Sequence, residues 1–468
     1  MEPFASEILW IVIFGFIIAF ILAFAVGAND VANSYGTSVG SGVLTFKQAC
    51  ILATIFEISG SILLGYKVAD TMRKGILDVS IYQNSEKMLM FGMLSALIGS
   101  AIWLLIATYF RLPVSTTHSI VGSTVGFSLV AHGTQGLHLT TLGSIVLSWF
   151  VSPLFSGLVS IMIYSLIQKL IIKSENPLNS GFIALPIIYG LTIFVNVLSV
   201  TLDGSKLLGM ENIPIWLSFT ISIIAMILVA LIVQLLVVPW QRRKIQPLDG
   251  NDNISSKQPR DLESKHNGSV STIATMNVST ISLSAPVIKQ HDDTEENIER
   301  LFHFLQTLTA VFTSFAHGGN DVSNAIGPLI AIWMIYTEGN VLQKSESPIY
   351  LLLFGGVGMV IGLWILGKRV NDTIGKNITK ITPINGFTVE SSAAATVLLA
   401  SKLGIPISST HCIVGSVVFV GAIFGKKGQE KKSVDWSLFR SIIFAWLVTL
   451  PVAGAISAFT MWLFLLIT

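Results

Sequence analysis

Charge is what this chain has least of. Only 12% of its 468 residues are Asp, Glu, Lys or Arg, against 52% hydrophobic residues, and soluble domains carry about twice that charged share. A soluble fold could not hide so much apolar surface, so lipid is the solvent for most of the length. The net charge of +2 offers nothing to a polyanion, which excludes nucleic acid as a partner. Cysteine is nearly absent. Cys50 and Cys412 both lie inside apolar stretches, so there is no disulfide framework, and each reads as a small core residue. The N-terminus lacks the basic flank of a secretory signal, and the apolar run 8–25 is long enough to span, so an uncleaved first helix is expected.

What is present is a succession of long apolar stretches. They fall at 8–25, 45–65, 89–110, 119–131, 141–172, 182–200 and 214–239, then at 302–317, 350–367, 386–400, 411–424 and 441–467. A span needs about 20 residues. This predicts an all-α polytopic membrane protein of about twelve segments, in which the short stretches 119–131 and 411–424 are candidates for broken or re-entrant helices. Three regions are expected: a first membrane half over 1–240, a polar disordered loop over 241–299 and a second membrane half over 300–468. The loop opens on Gln241-Arg-Arg-Lys244, which favours the cytoplasmic side, as does the loop holding Lys426, Lys427, Lys431 and Lys432. Asn253, Asn267 and Asn277 match the glycosylation pattern, by chance if the loop is cytoplasmic. Arg73 and Lys74 fall outside in this topology, against the charge rule.

The two halves repeat each other. Gly27-Ala-Asn-Asp-Val-Ala-Asn-Ser-Tyr-Gly36 matches Gly318-Gly-Asn-Asp-Val-Ser-Asn-Ala-Ile-Gly327, and Pro113-Val-Ser-Thr-Thr-His-Ser-Ile-Val-Gly-Ser123 matches Pro406-Ile-Ser-Ser-Thr-His-Cys-Ile-Val-Gly-Ser416. Order and separation are kept, which points to an internal duplication. An odd number of crossings before the second copy makes the copies enter from opposite faces. That is the inverted-topology design of secondary transporters, with the site between the repeats.

The first motif supplies Asn29, Asp30 and Asn33, and again Asn320, Asp321 and Asn324. Carboxylate and amide oxygens beside glycine-loosened backbone suit Na⁺, and an acid at membrane depth needs such a partner. The plainer alternative is a polar helix break that caps its own backbone; duplication favours function. The second motif supplies Ser115, Thr116 and Thr117, and again Ser408, Ser409 and Thr410. Proline, then hydroxyl residues, then an apolar run reads as a helix start. Hydroxyls, free amides and the helix dipole there suit an oxyanion, against the alternative of ordinary N-capping. The cation assignment therefore takes Asn29, Asp30, Asn320 and Asp321; the anion assignment takes the two hydroxyl triplets with Asn33 and Asn324. Glu57 and Glu390 are lone acids in apolar stretches, candidates for a cation ligand or proton carrier. The repeat does not pair them: Met359 stands opposite Glu57 and Leu97 roughly opposite Glu390. His118 and His411 either face the anion or pack as hydrogen-bonded core residues. His317, with Val26 opposite, is a weak candidate. His132 and His138 read as loop residues, and Trp149 and Trp446 as interfacial anchors.

At these residues the chain resembles the inorganic phosphate transporter family, the type III sodium–phosphate cotransporters. The stretch Gln48-Ala-Cys-Ile-Leu-Ala-Thr-Ile-Phe-Glu57 is similar to the animal branch. The resemblance implies twelve segments, an inverted repeat, both termini outside the plasma membrane and a cytoplasmic central loop. It implies a symporter coupling sodium entry to inorganic phosphate uptake by alternating access, without an organic cofactor. It places phosphate between Ser115–Thr117 and Ser408–Thr410, and cations near Asp30, Asn33, Asp321 and Asn324, with Glu57 and Glu390 needed for transport. Where relatives usually carry an acid in the third segment this chain has Met93, and its central loop is short for the animal branch. The rivals are a transporter of the same fold for sulfate or driven by protons, a phosphate-sensing receptor, and an intramembrane hydrolase built on Ser115 with His118 or on Asp30 with Asp321. The hydrolase lacks a glycine-framed nucleophile. Oligomeric state is open, with a homodimer among the choices.

Overall fold

The computed structural model describes residues 2–30, 32–202, 209–210, 212–245, 285–372, 378–424 and 434–467. The three glycosylation matches, the paired lysines at 426–427 and 431–432 and most of the expected central loop lie outside them. The described residues are almost entirely helical. In chain order the helices are α1 Leu9–Asp30, α2 Ala32–Gly40, α3 Phe46–Leu64, α4 Tyr66–Asp70, α5 Glu86–Tyr109, α6 Thr116–His132, α7 Leu139–Ile167, α8 Pro177–Thr201, α9 Ile215–Ile232 and α10 Val238–Ile245. They continue as α11 Ala285–His317, α12 Ser323–Glu338, α13 Ile349–Leu366, α14 Lys368–Asp372, α15 Pro383–Lys402, α16 Ser409–Phe424 and α17 Trp436–Ile467. Eight helices among the described residues are long and apolar enough to cross a membrane.

Helix starts follow the expected chemistry. Thr45 and Gln48 form a capping box on α3, and Thr382 caps α15 with Pro383 in its first turn. α6 has 17 residues and α16 has 16; at about 1.5 Å per residue, neither reaches the roughly 30 Å of a bilayer core. The expected loop 241–299 is helical at both described ends: α10 runs to Ile245, and α11 starts at Ala285. Arg300 sits one turn after Glu296 and bonds it at 2.6 Å, the i,i+4 pairing that lets a charged stretch stay helical.

One expectation is corrected. The Asn-Asp motifs do not lie in unwound backbone. Asn29 and Asp30 are the last residues of α1, and Asn320 and Asp321 occupy a π-helical turn, Gly318–Val322, that joins α11 to α12. Their glycines serve close packing instead. A Cβ on Gly27 would stand 1.7 Å from the Met359 carbonyl oxygen, and one on Gly318 would stand 2.1 Å from that of Glu57. The facing helices answer in kind: Gly362 abuts the Phe24 carbonyl and Gly60 that of Phe315. Thus α1 crosses α13, and α11 with its π turn crosses α3, at backbone-to-backbone contact, as small residues permit between membrane helices.

The packing repeats with the copies exchanged. α1 lies on α13 and α11 on α3; α6 lies on α17 and α16 on α7; α1 lies on α5 and α11 on α15. α8 and α9 pack mainly on each other and have no such counterpart. Their outward residues, such as Ile187, Leu228 and Leu231, are exposed, as for helices that face lipid. Cys50 and Cys412 are buried free thiols, as expected. Arg73 is buried as well. It bonds Asp70 at 2.9 Å and the Ser345 carbonyl at 2.9 Å, so it is a packing residue and not a free charge in an outer loop.

Candidate functional site

The two hydroxyl triplets start α6 and α16, as expected. The first serine of each is an N-cap: Ser115 Oγ accepts the His118 amide at 3.3 Å, and Ser408 Oγ accepts the His411 amide at 3.2 Å. The next residue reaches an aspartate of the neighbouring motif. Thr116 donates to Asp30, and Ser409 donates to Asp321 at 2.8 Å. The third crosses to the other copy. Thr117 Oγ1 bonds the Ile407 carbonyl at 2.8 Å, and Thr410 Oγ1 lies 3.2 Å from the Val114 carbonyl and 3.3 Å from Asp30 Oδ1. The asparagines cross too: Asn33 Nδ2 donates to Thr410 Oγ1 and Asn324 Nδ2 to Thr117 Oγ1, both at 2.9 Å. The four motifs therefore meet in one buried knot, with the tips of α6 and α16 braced against each other.

The oxygens of this knot suit a hard cation. The carbonyl oxygens Asn33 Oδ1, Asn324 Oδ1 and Asn320 Oδ1 are buried and accept no hydrogen bond within the protein. A buried acceptor left alone costs about 1–3 kcal/mol, and a cation offers each a partner. Asp30, Asp321 and His317 bring one ligand atom each to within 4.8 Å of the others. Asn29 differs. Its Nδ2 donates to Thr108 and to the Leu112 carbonyl, and its Oδ1 accepts the Val114 amide. It pins the loop before α6 and has no atom to spare.

The glutamates part ways. Glu57 accepts from Ser34 at 3.1 Å and Ser314 at 3.0 Å, and pairs with His317 Nδ1 at 2.8 Å. His317 Nε2 lies 3.2 Å from Asp321 Oδ2, in ion-pair range but without hydrogen-bond alignment. Glu57 is thus tied through His317 to the central acids, which makes His317 more than a weak candidate. The available signal was that His317 and Asp321 stand four residues apart on one helical path. Glu390 is not brought into the knot. Thr37, Ser38 and Thr309 donate to it at 2.6 Å each, and Gln306 at 3.2 Å. Helix α2 serves every part of this arrangement: Asn33 faces the α16 tip, Ser34 faces Glu57, and Thr37 with Ser38 faces Glu390.

Trp149 and Trp446 are not interfacial anchors. Trp149 packs on His118 and Trp446 on His411 as tilted ring pairs, each with centroids 3.8 Å apart, and the two imidazoles meet edge to face at 4.5 Å. His411 Nδ1 bonds the Trp149 carbonyl at 3.1 Å. The histidines are therefore packed core residues that link α6 and α16 to α7 and α17. This also separates His118 from a hydrolytic role, because Ser115 holds its amide and not its ring. His132 and His138 lie at the end of α6 and just after it, where His132 packs on Tyr82 and His138 bonds the Gly75 carbonyl.

Known proteins match this chain along nearly its whole length. The family model described as the phosphate transporter family matches residues 26–457. A protein of Xenopus tropicalis called sodium-dependent phosphate transporter 2 is 40% identical over 97% of this chain and 97% of its own length. The human protein of that name is 38% identical over 97% of this chain and 98% of its own. A solved structure described as the sodium-dependent phosphate transporter is 37% identical, covers 98% of this chain and 100% of its own, and superposes with a TM-score of 0.80. With a match that spans nearly the whole chain and includes both copies of both motifs, this protein belongs to the phosphate transporter family.

Proposed function

We propose that this protein is a sodium-coupled symporter that carries inorganic phosphate inward across the plasma membrane by alternating access. One observation carries the proposal: an acid and a hydroxyl-rich helix start from each copy converge on one buried point, Thr116 with Asp30 and Ser409 with Asp321. Two helix N-termini with their amides and hydroxyls suit a tetrahedral oxyanion. Two aspartates beside them would repel that anion unless cations neutralise them, and this couples the two ligands. In this reading Asp30, Asp321, Asn33, Asn320 and Asn324 offer oxygens to sodium. Thr116, Thr117, Ser409 and Thr410 offer donors to phosphate, while Ser115 and Ser408 hold the helix starts in place. Asn33 and Asn324 bridge the two sets, with their amides on the hydroxyls and their oxygens free. Glu57 acts through His317 on the central acids, and Glu390 acts from its own hydroxyl cage.

The exchange of equivalent contacts between the copies supports two inverted repeats, with α8 and α9 as additions to the first half and about twelve crossings in all. The basic end of α10 supports a cytoplasmic central loop, with both termini outside. Acceptors beside the helix starts favour phosphate over sulfate, since phosphate keeps a proton at neutral pH and can donate it.

The anion assignment is tested at the third hydroxyl of each triplet. Thr117→Val and Thr410→Val keep the shape and remove one donor. A hydrogen bond to a charged group contributes about 1.5–3 kcal/mol, so half-saturation for phosphate should rise roughly tenfold to a hundredfold. Unchanged half-saturation in both variants, at normal surface expression, would remove these residues from the site.

A further inference from the structure

Away from the knot, α7, α8, α11 and α15 enclose a cavity of about 460 Å³, within the range of small-molecule sites. Along α8 it runs from Ala184 to Asn196, about 18 Å at 1.5 Å per residue, so it is a slot and not a sphere. Four of its lining residues, Leu166, Leu170, Ile187 and Leu191, are exposed on the outer face of the helices, so the slot opens to the surroundings on that side. A molecule dissolved in the bilayer can enter there. Among the described residues no charged side chain lines the slot.

Two polar atoms in this apolar wall have no partner. Asn196 is 8% exposed; its amide nitrogen donates to the Thr192 carbonyl at 2.8 Å, but its Oδ1 receives nothing. Ser391 Oγ is likewise buried and unpaired. Water does not settle in an apolar cavity of this kind, and a hydrocarbon chain alone would leave the Asn196 acceptor unpaired. A phospholipid brings a charged headgroup for which the slot has no counter-charge.

We propose that this slot is a sterol site. A sterol is uncharged, rod-shaped and rigid, and it carries one hydroxyl. Asn196 lies five residues before the end of α8 at Thr201, about 7.5 Å along the axis. A hydroxyl donated to Asn196 Oδ1 therefore sits near one end of the helix, with the ring body running inward along α8 and the flat rings against Phe312 and Phe387. Thr309, in the same wall, donates to Glu390, so an occupant touches the cage of that acid.

The test is photolabelling of the full-length protein in phosphatidylcholine vesicles with a diazirine analogue of a 3β-hydroxysterol, followed by peptide mapping. The expected result is saturable labelling within 159–171 and 184–196, reduced at least fivefold by excess cholesterol and less than twofold by its 3α epimer or by diacylglycerol. Asn196→Leu should lower the labelling at least fivefold while keeping the wild-type unfolding temperature. The wild-type competition stands without that variant if it fails to fold. Labelling spread over all lipid-facing helices, equal competition by the epimer or by diacylglycerol, or crosslinks joining two copies through α7 and α8 would each overturn the assignment.

Discussion

Asp30→Asn and Asp321→Asn are each expected to raise the sodium concentration for half-maximal uptake by at least roughly tenfold. Each change keeps size and hydrogen-bonding shape and removes one charge beside the buried asparagine oxygens. Two unit charges 4 Å apart interact by about 4 kcal/mol at an effective dielectric of 20, and the amide dipole recovers only part of that. Tenfold in affinity corresponds to about 1.4 kcal/mol, so the expected rise is a lower bound. Phosphate affinity should fall indirectly, because less bound sodium leaves less positive charge beside the anion. By linkage the two ligands assist each other equally. Raising sodium should partly rescue phosphate affinity, and raising phosphate should partly rescue sodium affinity. Uptake measured over a grid of both concentrations reads this directly. If both variants keep wild-type sodium dependence and lose only phosphate affinity, the division of roles between the motifs is wrong.

Gly27→Ala and Gly318→Ala should damage folding itself. The added methyl group would meet a backbone carbonyl at 1.7 Å and 2.1 Å respectively, and a carbonyl within a helix cannot swing aside like a flexible side chain. The crossing helices must move apart, which disturbs the aspartate three residues further on in each motif. Overpacking typically costs about 1–3 kcal/mol and sometimes more, so both variants should unfold at clearly lower temperature and reach the membrane in lower yield. Gly143→Ala on α7 is the control. Nothing lies within 4 Å of its added Cβ, and alanine is the better helix former by about 1 kcal/mol. Equal unfolding temperatures for all three variants would contradict the close crossing of α1 with α13 and of α11 with α3.

The duplication and the helix starts were legible because they depend on local order. Proline followed by Ser and Thr marks Thr116 and Ser409 as first turns without knowledge of anything else. The pairing of Thr116 with Asp30 was not legible, since it needs the crossing of helices that are distant in the chain. Glycine beside Asn-Asp suggested loosened backbone, but the same residue type also lets helices touch, and only the facing carbonyl decides between these. Trp149 and Trp446 followed the general preference of tryptophan for membrane interfaces. Their histidine partners lie on other helices, so this packing was out of reach. The cage of Glu390 left a partial trace. Ser34, Thr37 and Ser38 recur at i, i+3 and i+4 within α2, a polar stripe on one face of that helix. The slot along α8 left none, because its wall is ordinary apolar sequence.

Sodium-driven movement of phosphate is the central claim. Its most direct test is radiolabelled phosphate uptake by the purified protein in sealed vesicles, with a sodium gradient or a proton gradient imposed separately. The expected result is concentrative uptake under an inward sodium gradient, abolished when sodium is replaced by choline and not restored by protons, with excess sulfate failing to compete. Accumulation driven equally well by protons without sodium, or saturable phosphate binding without accumulation, would contradict it.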